Sequence, residues 1–309
     1  MKLRTRFQSA MANSLPLFFA ATWIGSMTPS AMGQTFTWTN LSGGSWGTGT
    51  NWNTAPTFGS GVTLNFSTLN ITANATTTLD GNRTAGSLSF ADATTASHDW
   101  IVNAGSSGTL TLAATGTPSI GVTNRTATIG AVVAGTQGFT KTGAGTLLLN
   151  NSANTVTGTI TISGGVLSIR DGSTNTPAVF NNLTGKGITV QNTAILDLPR
   201  LHATTATTTT WTLPPVTLES GSTLRFRHST GSNTNNMAAN IATSGATAVT
   251  IDSNGGAFQH EIALTGLISG SAPINFFASS GSGNTTATRT LTLNNTSTTF
   301  SGNWFVDYT

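Results

Sequence analysis

Hydrophobic and polar residues alternate with a period of two along most of the chain, in short runs. Examples are residues 62–66, 109–112, 146–149 and 166–169, and each run is bounded by Gly, Asn, Asp, Ser or Pro. Alternation of this kind is typical of β-strands that bury one face. The pattern therefore predicts an all-β chain in which every strand contributes its apolar face to one shared core.

A convincing helical pattern is absent over more than two turns. The best candidate, residues 235–242, is crowded with Asn and is followed by Ser244 and Gly245, so we interpret it as a loop. Without crossover helices, parallel strands can pair only as stacked coils of a β-helix, a β-solenoid, whereas antiparallel strands would form a β-sandwich or jelly roll. The periodicity leaves both architectures open.

One phrase of the sequence occurs twice. Residues 146–162 align without a gap with residues 290–306, and both copies combine a Leu/Thr strand, an Asn-containing turn and a second strand. The shared positions are Thr146, Leu147, Leu149, Asn150, Asn151, Thr155 and Gly158, which recur as Thr290, Leu291, Leu293, Asn294, Asn295, Thr299 and Gly302. A repeated strand phrase in a chain rich in Gly and Thr favours the β-solenoid.

The N-terminus resembles a secretory signal peptide in residues 1–33. Lys2, Arg4 and Arg6 precede an apolar stretch, and small residues before Gln34 suit a cleavage site. Without this segment, nine basic residues face nine acidic ones, and the basic residues form no stripe that could follow phosphates. We therefore expect an exported chain that does not bind nucleic acid and has no membrane span in its mature part.

The composition suits a chain of many exposed strands that is held together without disulfides or Cys-ligated metals. Charged residues make up only 7% of the chain and cysteine is absent, so disulfides, Cys-ligated metals and Cys nucleophiles are excluded. We treat residues 34–309 as one elongated unit. Its weakest point is residues 204–210, which read either as a linker or as a Thr-rich outer strand.

Residues 138–169 closely resemble the autotransporter-associated β-strand repeat, also called the passenger-associated transport repeat. Its hallmark positions fall on Gly143, Gly145, Thr146, Leu147, Leu149, Asn150, Asn154, Thr155, Gly158, Ile160, Ile162, Gly164, Gly165 and Leu167. A partial copy lies at residues 290–309, and the Trp-rich residues 38–52 look like the opening segment of such proteins.

The resemblance implies a right-handed parallel β-helix exposed outside the cell, as a secreted or outer-membrane-associated passenger that could serve in adhesion. The repeat would assist export and folding rather than catalyse a reaction. Proteins of this kind end in a membrane barrel, and no such strands follow before Thr309. We therefore expect a truncated product or a partner that covers the last strand, where Phe305 would otherwise be exposed; surface glycans are another expected partner.

Candidate catalytic and metal-binding residues are few. Ser45 lies in a G-x-S-x-G match, but flanking Gly and Thr predict a turn rather than a nucleophile elbow. The four histidines, His98, His202, His228 and His260, show no metal-ligand spacing, and no calcium-binding motif occurs. We predict no catalytic, cofactor or metal site.

Two pairs of carboxylates could in principle hydrolyse a polysaccharide. Asp252 and Glu261 could meet across a short loop near His260 and Arg227, and Asp92 and Asp99 flank His98. With so few acids in the chain, we interpret them as isolated solvated charges. A polysaccharide-degrading β-helix enzyme remains the alternative to a non-enzymatic passenger.

Exposed aromatic or basic residues could bind ligands instead. Trp38, Trp46 and Trp52 either cap the open end of the core, which we favour, or form a platform for sugar rings in a carbohydrate-binding module. Arg225 and Arg227 share an outward face and read as a solvated strand face or a small anion patch.

Overall fold

The structure is a computed structural model that describes residues 33–169, 186–200, 207–228, 233–255, 260–280, 289–294 and 299–308. The chain divides into two units, residues 1–30 and 31–309. The expected signal peptide lies outside the described residues, except for Gly33. All the strands that the structure describes belong to the second unit.

Thirty strands and one 3₁₀ turn (Gly49–Asn51) make up the described part of this unit. The strands up to residue 169 are β1 (Thr35–Thr37), β2 (Gly44–Ser45), β3 (Thr63–Phe66), β4 (Ala75–Thr78), β5 (Arg83–Ala85), β6 (Ser87–Phe90), β7 (Trp100–Asn103), β8 (Thr109–Leu112), β9 (Ser119–Val122), β10 (Thr126–Ile129), β11 (Val132–Gly135), β12 (Phe139–Thr142), β13 (Thr146–Leu149), β14 (Thr155–Val156), β15 (Ile160–Ile162) and β16 (Val166–Ile169). The later strands are β17 (Ile188–Val190), β18 (Ile195–Arg200), β19 (Thr207–Trp211), β20 (Val216–Glu219), β21 (Thr223–His228), β22 (Asn233–Met237), β23 (Ile241–Ser244), β24 (Val249–Gly255), β25 (His260–Leu264), β26 (Ile268–Gly270), β27 (Ile274–Ser280), β28 (Arg289–Leu293), β29 (Thr299–Phe300) and β30 (Trp304–Tyr308).

These strands form a parallel β-solenoid. The first sheet has the order β1-β3-β6-β9-β12-β15-β17-β20-β23-β26-β29, and the second has the order β2-β4-β7-β10-β13-β16-β18-β21-β24-β27-β30. One coil consists of a first-sheet strand, the second-sheet strand that follows it and, in most coils, a third strand. The third strands form two four-stranded sheets, β5-β8-β11-β14 and β19-β22-β25-β28.

All strand ladders among the described residues are parallel, and the only antiparallel contact there is an isolated bridge between Trp38 and Trp52. This arrangement confirms the β-solenoid and excludes the sandwich. The core lies inside the coils, where alternate residues of each strand are buried. In β13, for example, Leu147 and Leu149 point inward, and Leu167 and Ile169 stack on them from β16.

The outer side of the first sheet carries a continuous row of small polar residues, one per coil. In register, the row consists of Thr35, Thr63, Ser87, Ser119, Thr140, Thr161, Thr189, Thr217, Ala242, Ser269 and Thr299. Ten of these eleven side chains bear a hydroxyl group. The hydroxyl groups of Thr and Ser therefore keep this outer face hydrophilic, a role that charged side chains have on most strand surfaces. This explains the low charge of the chain.

The structure contradicts one local prediction and confirms another. The loop predicted at residues 235–242 is wrong, because β22 and β23 occupy most of it. Asn235 points into the core and accepts a hydrogen bond from the Trp211 indole N–H (2.9 Å), so a polar residue holds an inward position without a lost hydrogen bond. Residues 207–210 belong to β19, which confirms the Thr-rich strand for the described part of residues 204–210.

Candidate functional site

The repeat-like residues 139–169 contribute five consecutive strands, β12 to β16, to two neighbouring coils. β12 pairs with β15 in the first sheet, and β13 pairs with β16 in the second. The inward residues of the five strands are buried, and they are Phe139, Lys141, Leu147, Leu149, Val156, Ile160, Ile162, Leu167 and Ile169. Leu147, Leu149 and Leu167 of the predicted repeat set are thus core residues, while Thr146 is half-buried on the outer side of β13.

Glycines of the repeat line the corner between the first and second sheets, where successive coils touch backbone to backbone. Gly143 and Gly165 have positive φ angles of +79° and +60°. A Cβ atom on Gly165 would lie 2.4 Å from the Gly145 carbonyl oxygen, and one on Gly145 would lie 2.7 Å from the Arg125 carbonyl oxygen. Any side chain larger than hydrogen would push these coils apart.

The remaining repeat positions belong to two other corners. A Cβ atom on Gly158 would lie 2.0 Å from the Gly138 nitrogen. Asn154 is buried; its Oδ1 accepts a hydrogen bond from the Val133 N–H (2.8 Å), and its Nδ2 donates to the Asn151 carbonyl (2.7 Å). Asn150 donates its backbone N–H to the Ile129 carbonyl, and Thr155 is an exposed residue of β14.

Lys141 is a repeat residue that the sequence analysis missed. Its side chain is fully buried, and its Nζ donates hydrogen bonds to the carbonyl oxygens of Thr142 (3.0 Å), Gly143 (2.7 Å) and Gly164 (2.8 Å). Burial lowers the pKa of Lys141 to about 8. The available signal was its spacing, because Lys141 follows inward Phe139 by two residues and therefore faces the core.

The second copy of the phrase occupies a different position within its coil. Thr146 lies in β13 of the second sheet, whereas the aligned Thr290 lies in β28, a third strand. Ile160 lies in the first sheet, whereas the aligned Trp304 lies in the second. The two copies share strand and turn chemistry but not a place in the coil. Phe305 points outward from β30 and is 53% exposed, as expected.

The carboxylates Asp252 and Glu261 lie in different sheets and have separate partners. Asp252 is buried on the outer side of β24, and its Oδ2 accepts a hydrogen bond from the Arg225 Nε (3.0 Å). Burial raises the pKa of Asp252, and Arg225 opposes this shift only in part. Glu261 accepts hydrogen bonds from the hydroxyls of Thr234 (3.1 Å) and Thr292 (2.7 Å). The prediction that Asp252 is a solvated charge is therefore wrong.

The two arginines of β21 form ion pairs rather than an anion patch. The Arg227 Nε donates to both carboxylate oxygens of Asp197 (2.8 and 3.0 Å), and the Ser168 hydroxyl donates to the same carboxylate (2.8 Å). Asp197, Arg225 and Asp252 are neighbours in register across β18, β21 and β24. These three residues thus alternate in charge up the second sheet, and the anion-patch interpretation is wrong. Both arginines still face outward with side chains 26% and 44% exposed, which agrees with a partly solvated strand face.

Asp92 and Asp99 hold separate parts of the backbone. The buried Asp92 accepts hydrogen bonds from the N–H groups of Ile71 (3.2 Å), Ser97 (2.8 Å) and His98 (3.2 Å). Burial alone would raise its pKa, but these bonds and that from Thr95 bring the pKa of Asp92 below its ordinary value. Asp99 accepts from the Thr126 N–H (3.0 Å). Both are structural anchors, so the solvated interpretation of Asp92 is also wrong.

The three tryptophans are buried in the first coil, which confirms the cap. Trp38 and Trp46 are fully buried, and their ring centroids lie 4.9 and 6.1 Å from that of Trp52, both edge to face. The Trp46 indole N–H donates to the Thr77 hydroxyl (2.9 Å). These rings close the end of the core, so they present no stacking platform for sugars.

Ser45 and the histidines show no catalytic or metal-binding arrangement in the part of the chain that the structure describes. Ser45 ends β2, and a turn follows instead of a helix. His98 is half-buried beside Asp92, and His260 points into the core from β25. His202 and the side chain of His228 lie outside the described residues. No group of three His, Asp or Glu residues in that part could hold a metal ion, and no helix there is long and apolar enough to span a membrane.

Comparison with known proteins agrees with the geometry of the repeat. A family model described as the passenger-associated transport repeat matches residues 139–169. The adhesin BmaC autotransporter of Brucella suis biovar 1 (strain 1330) is 39% identical to this chain over 125 residues, which are 38% of this chain and 4% of that adhesin. The chain therefore spans only a small fraction of the length of this relative. No solved structure matches it.

Proposed function

We propose that this chain, which carries a passenger-associated transport repeat, is part of an autotransporter passenger whose solenoid is displayed at the cell surface or secreted. The observation that supports this most strongly is the coincidence of the matched residues 139–169 with five consecutive strands of two stacked coils. A relative named as an autotransporter adhesin points in the same direction, and adhesion is the activity we propose.

The repeat would assist folding after export, and residues 1–33 would direct that export. Each coil of a solenoid contacts only its neighbours, so folding can spread from one stable segment without disulfides. The chain has no cysteine, and the glycine corner at residues 143–145 and 164–165 keeps two coils in close register. We propose that this corner is where the repeat contributes to folding.

A non-enzymatic role is supported by the condition of the candidate acids. Asp92 and Asp252 are buried and already engaged by backbone N–H groups or by Arg225. Asp99 accepts a hydrogen bond from the Thr126 N–H, and Glu261 accepts hydrogen bonds from two threonine hydroxyls. Hydrolysis of a glycoside needs carboxyl groups that reach the substrate and a water molecule. These residues stabilise the fold instead. Surface glycans are the adhesion target that we propose.

The test follows export and adhesion separately in cells that express the complete gene. Surface protease accessibility is measured for the wild type, for Gly165→Val and for the matched control Thr161→Val, which alters the exposed side of the same coil. The wild type and the control should reach the surface, and Gly165→Val should accumulate inside. A wild-type chain retained in the cytoplasm would refute the proposal. Failure to bind any glycan or cell surface would remove adhesion alone.

A further inference from the structure

Lys141 places a charge in the core between two apolar residues of the adjacent coils. It faces the core from β12, and its register neighbours in the adjacent coils are Ile120 and Ile162, both fully buried. Among the described residues, no carboxylate forms an ion pair with it. Burying an ammonium group in such a position is costly unless each of its hydrogens has an acceptor.

The three acceptors come from two different coils. An ammonium group has three N–H donors. Two are taken by Thr142 and Gly143, in the corner that follows Lys141 in its own coil. The third is taken by Gly164, at 2.8 Å, in the corner of the following coil. The hydrogen bonding of Lys141 is therefore complete only when both coils are folded and stacked.

The corner glycines allow these carbonyl groups to converge. A Cβ atom on Gly164 would lie 3.4 Å from the Gly143 oxygen, and one on Gly165 would lie 2.5 Å from that oxygen. Carbonyl oxygens that crowd one another repel, and a cation between them removes this repulsion. The glycines and Lys141 thus act together, because the glycines permit the carbonyl groups to approach one another and the Lys141 ammonium group lies between those carbonyl oxygens.

We propose that Lys141 is an interlock that makes the folding of its coil conditional on the stacking of the next coil. A core residue such as Leu would stabilise the coil of β12 whether or not the coil of β15 and β16 were in place. The ammonium group instead penalises the first coil when it is closed alone and rewards the stacked pair. The consequence is that these two coils open and close as one unit. The geometry stands independently of the proposed export role, which supplies only its purpose.

The test is native-state hydrogen exchange on the purified full chain over a denaturant series. In the wild type, amides of residues 139–149 and 160–169 should open with one common free energy. In Lys141→Met, which keeps the length and removes the charge, the two segments should separate, and one should exchange about ten- to hundredfold faster than the other. Ile162→Met is the matched control, since it places the same side chain at the stacked position and should leave the segments coupled.

A second variant tests whether the charge itself is required. Lys141→Ala should uncouple the segments in the same way, and added ethylammonium should restore their common opening, whereas ethanol at the same concentration should not. Segments that remain coupled in Lys141→Met would overturn the interlock. A Lys141→Met chain that fails to fold while Ile162→Met folds would also overturn it, because the lysine would then support the whole stack rather than one junction. Loss of export with normal coupling would count against the proposed function alone.

Discussion

Raising the pH above about 8 should stabilise this protein, and Lys141 is the reason. Burial lowers the pKa of Lys141 from 10.5 to about 8 in the folded chain. Between these two values the unfolded chain binds the proton that the folded chain has released, so the free energy of unfolding rises with pH. Most proteins instead lose stability as they approach pH 10, because maximal stability tends to lie near or below neutrality.

The size of the effect follows from the separation of the two pKa values. A difference of about 2.5 between them corresponds to about 3 kcal/mol, at about 1.4 kcal/mol for each pH unit. This gain should be complete above the unfolded pKa and absent below about pH 8. Lys141→Met has no proton to release, so its stability should follow the background titration of the other groups.

The assay is urea denaturation of the wild type and of Lys141→Met at a series of pH values from about 7 to about 11, which brackets both pKa values. The difference in unfolding free energy between the two proteins isolates Lys141, since the remaining titrating groups are common to both. We expect this difference to shift in favour of the wild type by about 3 kcal/mol over the series. A difference that stays constant would refute the assignment of a buried, charged lysine.

Three further substitutions test the corner, the cap and the ion pairs by calorimetry or urea denaturation. Gly165→Ala should lower the free energy of unfolding by about 3 kcal/mol, because φ at Gly165 is +60° and an added Cβ atom meets backbone atoms. Thr161→Ala, on the outer side of the same coil, should cost under about 0.5 kcal/mol. Equal losses would contradict the tight packing proposed for the glycine corner. Trp46→Ala should cost about 3–5 kcal/mol, and a loss below about 1 kcal/mol would show that the cap is separate from the core. Arg227→Met should cost about 3 kcal/mol, because it leaves the buried Asp197 carboxylate without its guanidinium partner. The double variant Arg227→Met/Asp197→Leu should recover most of this loss. A double variant whose loss equals the sum of the two single losses would contradict the ion pair.

The architecture was largely predictable from the sequence, because a period-two pattern specifies which side of each strand is buried. The inward positions Leu147, Leu149, Ile160 and Ile162 follow from that pattern alone. Strand pairing did not follow, since sandwich and solenoid strands have the same period. The resemblance of residues 138–169 to a known repeat supplied the information that the pattern lacked.

Polar residues on buried positions were the main source of error. Asn235 was assigned to a loop because Asn and the Ser-Gly that follows argue against a helix, yet it lies in β22, and its partner Trp211 lies in the preceding coil, 24 residues away. Asp197, Asp252 and Lys141 are likewise buried, each with a partner in an adjacent coil. A linear sequence contains no signal for such contacts until the number of residues in each coil is known.

The hydroxyl row of the first sheet bears on how the length of such a chain can change during evolution. Every coil presents nearly the same side chain to both neighbours there, so one coil can be lost or duplicated without placing incompatible residues side by side. Deletion of residues 119–139, one complete coil, would bring Ser87 next to Thr140. We expect the shortened chain to be folded by circular dichroism, and an unfolded chain would show that the coils are not interchangeable.

The alternating charges at Asp197, Arg225 and Asp252 allow no such exchange, because removal of the middle coil would bring two buried carboxylates together. Gain and loss of whole coils should therefore be tolerated in the N-terminal half of the solenoid and selected against around β21.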